Sequence, residues 1–107
     1  MVLSSGAQSA LVSVLSTITT PGERFLIEPL TYPTMQPICR QFGLQMRTLQ
    51  NDAEGVTPDS LEHYAKRGEA RIVYIVPTLQ NPTTVTLSTE RREAIVDIAR
   101  HYDLTII

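Results

Sequence analysis

Three short stretches of the chain gather groups that could hold a small ligand. Ser4-Ser5-Gly6-Ala7-Gln8 is a turn of small residues that runs straight into an apolar periodic segment. A helix beginning there leaves its first N–H groups without intrahelical partners and presents the positive end of its dipole, which suits a phosphate or carboxylate. An ordinary helix cap calls for the same residue types. Pro29-Leu30-Thr31-Tyr32-Pro33 carries a tyrosine whose ring could lie flat on an aromatic ligand or pack against its own loop. Pro77-Thr78-Leu79-Gln80-Asn81-Pro82-Thr83-Thr84 brings Asn81. Its amide could donate to a ligand oxygen, although asparagine before proline is also a common turn residue.

The elements that must position these loops read as alternating helices and strands. Ala7, Ala10, Leu11, Val14, Leu15 and Ile18 form one stripe of an amphipathic helix, ended by Pro21-Gly22. Phe25-Leu26-Ile27 reads as a short buried strand closed by Pro29. Met35, Ile38, Cys39 and Phe42 repeat the helical spacing, with Pro37 in the first turn and Gly43 at the left-handed stop. A strand at 44–49 and a polar loop at 50–56 follow. Thr57-Pro58 then opens a helix with Leu61, Tyr64 and Ala65 inward and Gly68 as its end. The unbroken apolar run Ile72-Val73-Tyr74-Ile75-Val76 predicts a strand buried on both faces. Ser88 can cap a helix through Tyr102 built on Ile95, Ile98 and Ala99, Leu104-Thr105-Ile106-Ile107 is a last strand, and Val2-Leu3 reads as a strand stub.

This alternation predicts an α/β fold, a mainly parallel sheet between two helical layers. In such sheets ligands bind beyond the carboxyl ends of the strands, where the three loops fall. A buried strand at each end, without a polar tail, reads as a piece of a larger three-layer domain truncated at both ends. The 107 residues fit one domain, and 42% hydrophobic with 19% charged residues excludes a disordered chain. A net charge of −2 argues against a face that binds duplex DNA. One cysteine excludes an internal disulfide. No apolar run approaches the roughly 18 residues of a membrane helix, so no membrane partner is expected. Met1 to Ser16 lacks a basic start and is interrupted by Ser9, Ser13 and Ser16, unlike a secretory signal, so a cytoplasmic location is expected.

Taken in order, Gly6-Ala7-Gln8-x-Ala10-Leu11, Pro29-x-Thr31-Tyr32-Pro33 and Gln80-Asn81-Pro82-Thr83 resemble the large domain of fold-type I pyridoxal-phosphate proteins. These are the class I/II aminotransferases and the aminotransferase-like domains of MocR-type, GntR-family transcriptional regulators. The resemblance covers essentially the whole chain. It implies pyridoxal 5'-phosphate as cofactor, with Ala7 and Gln8 at its phosphate, Tyr32 stacked on its pyridine ring and Asn81 donating to its phenolic oxygen. It also implies a homodimer, an amino acid or amine ligand, and DNA contact only through an upstream domain. Thr84 stands where such sequences commonly carry glycine, a feature closer to the regulator-type domains. The resemblance therefore points to the cofactor-sensing and dimerisation part of a regulator, with a catalytic aminotransferase acting on an amino acid as the alternative.

A pyridoxal-phosphate enzyme needs a lysine that binds the cofactor covalently. The resemblance places that lysine, the acidic partner of the ring nitrogen and the arginine for the substrate carboxylate downstream of Ile107. The single lysine here, Lys66, stands beside Arg67 at a helix C-terminus, where a cation favours the dipole. No catalytic residue is expected within the chain, and alone it is expected to be inactive. His63, His101 and Cys39 lack metal-ligand spacing. Arg91-Arg92 between Glu90 and Glu93 reads as a solvated helix face. By the resemblance, the strand at 104–107 should lie between those at 25–28 and 71–76. The strand at 71–76 would then be an edge, apolar on both faces, that recruits another chain or needs the rest of a larger protein to cover it.

Overall fold

In the computed structural model, which describes residue 1 and residues 3–107, helices and strands alternate as the hydrophobic spacing requires. The order is α1 (Ala7–Ile18), β1 (Arg24–Ile27), α2 (Met35–Gln41), β2 (Gln45–Thr48), β3 (Asn51–Asp52), β4 (Gly55–Val56), α3 (Pro58–Lys66), β5 (Ile72–Tyr74), α4 (Thr89–His101) and β6 (Thr105–Ile106). Of the stub read at Val2-Leu3, Val2 lies outside the described residues and Leu3 is in no strand. Helix ends follow local chemistry. The Ser88 hydroxyl accepts the Arg91 N–H at 3.2 Å at the start of α4. Thr57 precedes Pro58 at the start of α3, but its hydroxyl donates to the Gln50 carbonyl at 3.2 Å instead of capping the helix. Gly43, at φ 66, lets α2 close through Gly43 N–H to Arg40 O at 3.1 Å and Leu44 N–H to Cys39 O at 2.8 Å.

β1 pairs in parallel with β2 and β5, and β5 pairs in parallel with β6, giving the order β2-β1-β5-β6. One face of the sheet packs Phe25, Ile27 and Ile72 against Leu11 and Leu15 of α1 and Met35, Ile38 and Cys39 of α2. The other packs Leu26, Val73 and Ile75 with Leu61 of α3 and Ile95 of α4. The result is the three-layer α/β/α arrangement. Burial pushes the Cys39 thiol up to about 11.

The strand order corrects one expectation: β5, not β6, is interior, and the strand at 104–107 forms an edge. Ile72 and Val73 are both buried, on opposite faces, whereas Thr105 and Ile106 are exposed. Each buried apolar side chain contributes about 1.5–3 kcal/mol. Exchanging the two strands would expose two such side chains and bury the Thr105 hydroxyl instead. The α1 stripe is also narrower than its spacing implies, because Val14 and Ile18 remain exposed.

Two further expectations fail together. The stretch 50–56 is not a plain loop: β3 and β4 pair antiparallel across a two-residue turn, with Glu54 N–H donating to Asp52 Oδ1 at 2.8 Å. Arg91 is not a solvated face either. It bridges α4 to this hairpin, donating to both Asp52 carboxylate oxygens at 2.7 and 3.0 Å, to Glu54 at 3.0 Å and to the Gly55 carbonyl at 3.2 Å. The guanidinium holds the Asp52 carboxyl below its ordinary range. Gly55 sits in the same corner at φ 102, where an added Cβ would lie 2.6 Å from Leu87 Cδ2. Leu87 is buried and has little room to yield. Gly55→Ala is therefore expected to cost about 2–4 kcal/mol, from strain plus overpacking. Gly22→Ala, at φ 91 with open space around it, should cost only about 1 kcal/mol. Denaturant unfolding of the two variants checks the difference.

Candidate functional site

The ends of β1 and β5 lie side by side because these strands pair in parallel at Phe25–Ile72, Leu26–Val73 and Ile27–Tyr74. The loops after them, carrying Tyr32 and Asn81, therefore leave the same edge of the sheet. α1 runs back toward the start of β1, so its N-terminus stands at that edge too. Gly6 is the N-cap of α1, at φ 125, and no side chain caps the helix. The first intrahelical bond runs from Ala10 N–H to Gly6 O at 3.1 Å. The N–H groups of Ala7, Gln8 and Ser9 precede it and, among the described residues, donate to no backbone carbonyl.

Ala7, Gln8, Leu11, Tyr32, Tyr74 and Ile107 line a cavity of about 330 Å³. Tyr32 is half-buried, and with Thr31, Thr48, Asn81 and Pro82 it also lines an adjoining cleft of about 350 Å³. The structure thus brings together all four residues singled out from sequence: Ala7 and Gln8 with Tyr32 on one side, Asn81 with Tyr32 on the other. The set offers free backbone donors, a π-face and an exposed side-chain amide, so it fits a flat aromatic ligand bearing an anionic group. Lys66 stands elsewhere. It ends α3, at the edge from which β5 starts, away from these loops.

Sequence reasoning missed the residues beneath the loops. Glu28, 1% exposed, accepts the Val76 N–H at 3.1 Å and the Gln80 Nε2–H at 3.4 Å through one oxygen. Desolvation raises its carboxyl above the ordinary 4.5, and these two hydrogen bonds oppose the rise. Tyr74 is raised in turn, by burial first and then by the nearby Glu28 and Tyr32. Arg92 fastens the Asn81 loop from α4, donating to the Leu87 carbonyl at 2.9 Å, the Pro77 carbonyl at 2.7 Å and Thr78 Oγ1 at 2.9 Å. The only sequence signal for Glu28 is a charged residue abutting a buried apolar run.

The family described as aminotransferase class I and II matches residues 1–107. The chain belongs to that family. It is 35% identical to an aromatic amino acid aminotransferase of Schizosaccharomyces pombe, over 98% of this chain and 23% of the relative. It is 28% identical to an HTH-type transcriptional regulator, YdeF, of Bacillus subtilis, over 100% of this chain and 23% of the relative. Its fold superposes on the Pyrococcus horikoshii kynurenine aminotransferase, solved in complex with PMP, with a TM-score of 0.88 and 30% identity, covering 96% of this chain and 27% of that one. The chain spans about a quarter of the length of these relatives. Among the described residues no helix is long and apolar enough to cross a membrane.

Two outcomes follow for this aminotransferase-family chain. Thr84, where the resemblance leads one to expect glycine, adopts φ 61 and is exposed. A β-branched residue there is strained by about 1–3 kcal/mol, while glycine costs about 0.4–1 kcal/mol through the unfolded chain. Thr84→Gly is expected to stabilise the protein by about 0.5–1.5 kcal/mol, read as a higher midpoint in urea. The second concerns Glu28. A carboxyl whose folded value is raised binds its proton more tightly when folded, so its contribution improves as pH falls through that value and levels off below 4.5. Glu28→Gln keeps an oxygen for both donors and removes the charge. The variant should be at least as stable as wild type near neutral pH, and its advantage should shrink on acidification toward about pH 5. Melting temperatures of both proteins across that range decide it.

Proposed function

We propose that residues 1–107 form part of a pyridoxal 5'-phosphate cradle within a larger aminotransferase-type large domain, of which this segment is one piece. The observation that carries the reading is the convergence of the uncapped start of α1, the Tyr32 ring and the Asn81 amide at one sheet edge. In this reading Ala7 and Gln8 hold the phosphate, with helix N–H groups donating to an oxyanion. Tyr32 covers one face of the pyridine ring, and Asn81 donates to the phenolic oxygen. When bound, the cofactor supplies an electron-withdrawing ring; these residues bind and orient it. None of them can attach it covalently.

The longer protein is read as a cytoplasmic, homodimeric MocR-type regulator of the GntR family, in which this domain senses the cofactor or an amino acid or amine. A separate upstream domain would contact DNA. The likeness to YdeF over all 107 residues and Thr84 in place of glycine support this. A second reading, a catalytic aminotransferase acting on an amino acid, is favoured by the 35% identity to the Schizosaccharomyces pombe aminotransferase.

Titrating the full-length protein with pyridoxal 5'-phosphate tests the cradle. Tyr32→Ala and Asn81→Ala should each weaken binding about tenfold, the equivalent of one lost stacking contact or charge-assisted hydrogen bond. Lys66→Ala should leave affinity within about twofold. Borohydride trapping should label a lysine outside this segment. Unchanged affinity in both site variants, or stoichiometric pyridoxyl labelling of Lys66, would overturn the reading. Turnover of an amino acid with a 2-oxo acid separates the enzyme from the regulator, for which cofactor-dependent DNA binding without turnover is expected.

A further inference from the structure

β1 and β5 share their last backbone pairing at Ile27–Tyr74. Beyond it the two chains diverge into the Tyr32 and Asn81 loops, and side chains take over the link. Glu28 follows Ile27 directly and, by strand alternation, shares the face of Leu26. Its buried carboxylate accepts the Val76 N–H, which continues the β1–β5 ladder past its last backbone rung. Gln80, 2% exposed, extends the link. Its Nε2 donates to Glu28 and to the Leu30 carbonyl, two residues before Tyr32. Its Oε1 accepts the Thr83 N–H at 3.0 Å and the Thr83 hydroxyl at 2.6 Å, two residues after Asn81. The amide orientation is forced, because a carbonyl can only accept and an N–H can only donate. Burying a carboxylate costs several kcal/mol unless it is hydrogen-bonded, so an acid at this position needs a compensating role.

We propose that Glu28 and Gln80 are positioning residues, a buried bracket that sets the spacing between the Tyr32 loop and the Asn81 loop. The consequence for a ligand rests on the function proposed above: the bracket fixes the ring-covering tyrosine relative to the donor at the ring's oxygen. The phosphate end, at the start of α1, lies outside it.

The test is hydrogen exchange on the full-length protein without ligand, with peptides covering 29–36, whose protected amide is the Met35 N–H bonded to the Tyr32 carbonyl at 2.9 Å, and 77–84. Glu28→Leu removes the acceptor at similar size, and exchange in both loops should accelerate about tenfold while β2 and α3 keep wild-type rates. Glu28→Gln, which retains an oxygen for both donors, should restore protection. Gln80→Leu leaves the Glu28–Val76 bond in place and should loosen the same two loops, and it decides the matter if Glu28→Leu does not fold. Loosening of one loop alone, or of neither, overturns the bracket, and so does a Glu28→Gln variant whose loops exchange as fast as those of Glu28→Leu. In parallel titrations Glu28→Leu should bind pyridoxal 5'-phosphate about tenfold more weakly but inorganic phosphate within about twofold. If wild type fails to bind pyridoxal 5'-phosphate while both loops still loosen together, the bracket stands and the cofactor reading falls.

Discussion

The parallel pairing of β1 with β5 is the constraint from which the site follows. Three successive rungs, from Phe25–Ile72 to Ile27–Tyr74, bring the two strands to the same edge in register. The loops that carry Tyr32 and Asn81 then cannot avoid one another. Because α1 precedes β1 and packs Leu11 and Leu15 against Phe25 and Ile27, its free N–H groups come to that edge as well. The pairing itself holds because both strands are apolar on both faces and each face has a helical layer to bury it. Phe25, Leu26 and Val73 are fully excluded from solvent, and each excluded side chain contributes about 1.5–3 kcal/mol. The geometry of the candidate site is inherited from hydrophobic burial several residues away.

What is legible in the sequence is what depends on nearby residues. The helical stripes, the Ser88 cap, the Gly43 stop and the first turn containing Pro37 each rest on chemistry within about four residues. Strand order departs from expectation because it depends on a comparison across the chain, between the doubly buried Ile72-Val73 and the exposed Thr105-Ile106. The information is present, since a strand apolar on both faces belongs inside a sheet. The order expected from the resemblance is mistaken, because the observed order superposes on a solved aminotransferase over 96% of the chain. Arg91 shows the other limit. A mixed-sign helix face looks solvated until a partner is known, and the partner is a hairpin 35 to 39 residues earlier.

The candidate site divides along the same line. Ala7, Gln8, Tyr32 and Asn81 stand in loops whose composition announces them, and the structure places them around adjoining cavities. Glu28 does not announce itself, and Gln80, although it stands in the motif Gln80-Asn81-Pro82-Thr83, gets no role from it, since the contact between the two spans 52 positions. A buried network is visible only from the side that holds its partners. Tyr74 is similar: the strand run marks it as core, while the structure gives it a wall of the cavity beside Gln8 and Tyr32.

The loop 77–87 shows how such a network and local strain depend on one another. It has no helix or strand of its own, and Leu79 and Thr84 both adopt positive φ, at 47° and 61°, on either side of Gln80-Asn81-Pro82-Thr83. Each costs about 1–3 kcal/mol, so the loop would relax if nothing held it. It is held from three directions. Arg92 of α4 takes the carbonyls of Pro77 and Leu87, Glu28 at the end of β1 takes the Gln80 amide, and the Gln80 N–H closes the loop on the Val85 carbonyl at 2.9 Å. A hydrogen bond to a charged group contributes about 1.5–3 kcal/mol where water is excluded, as at the buried Gln80–Glu28 contact, and less at the part-buried Arg92–Leu87 and exposed Arg92–Pro77 bonds; together they oppose the strain. Two of the three anchors thus come from the elements that flank the loop in space, β1 and α4. The conformation that presents Asn81 is therefore a property of the whole three-layer packing and not of the loop sequence alone.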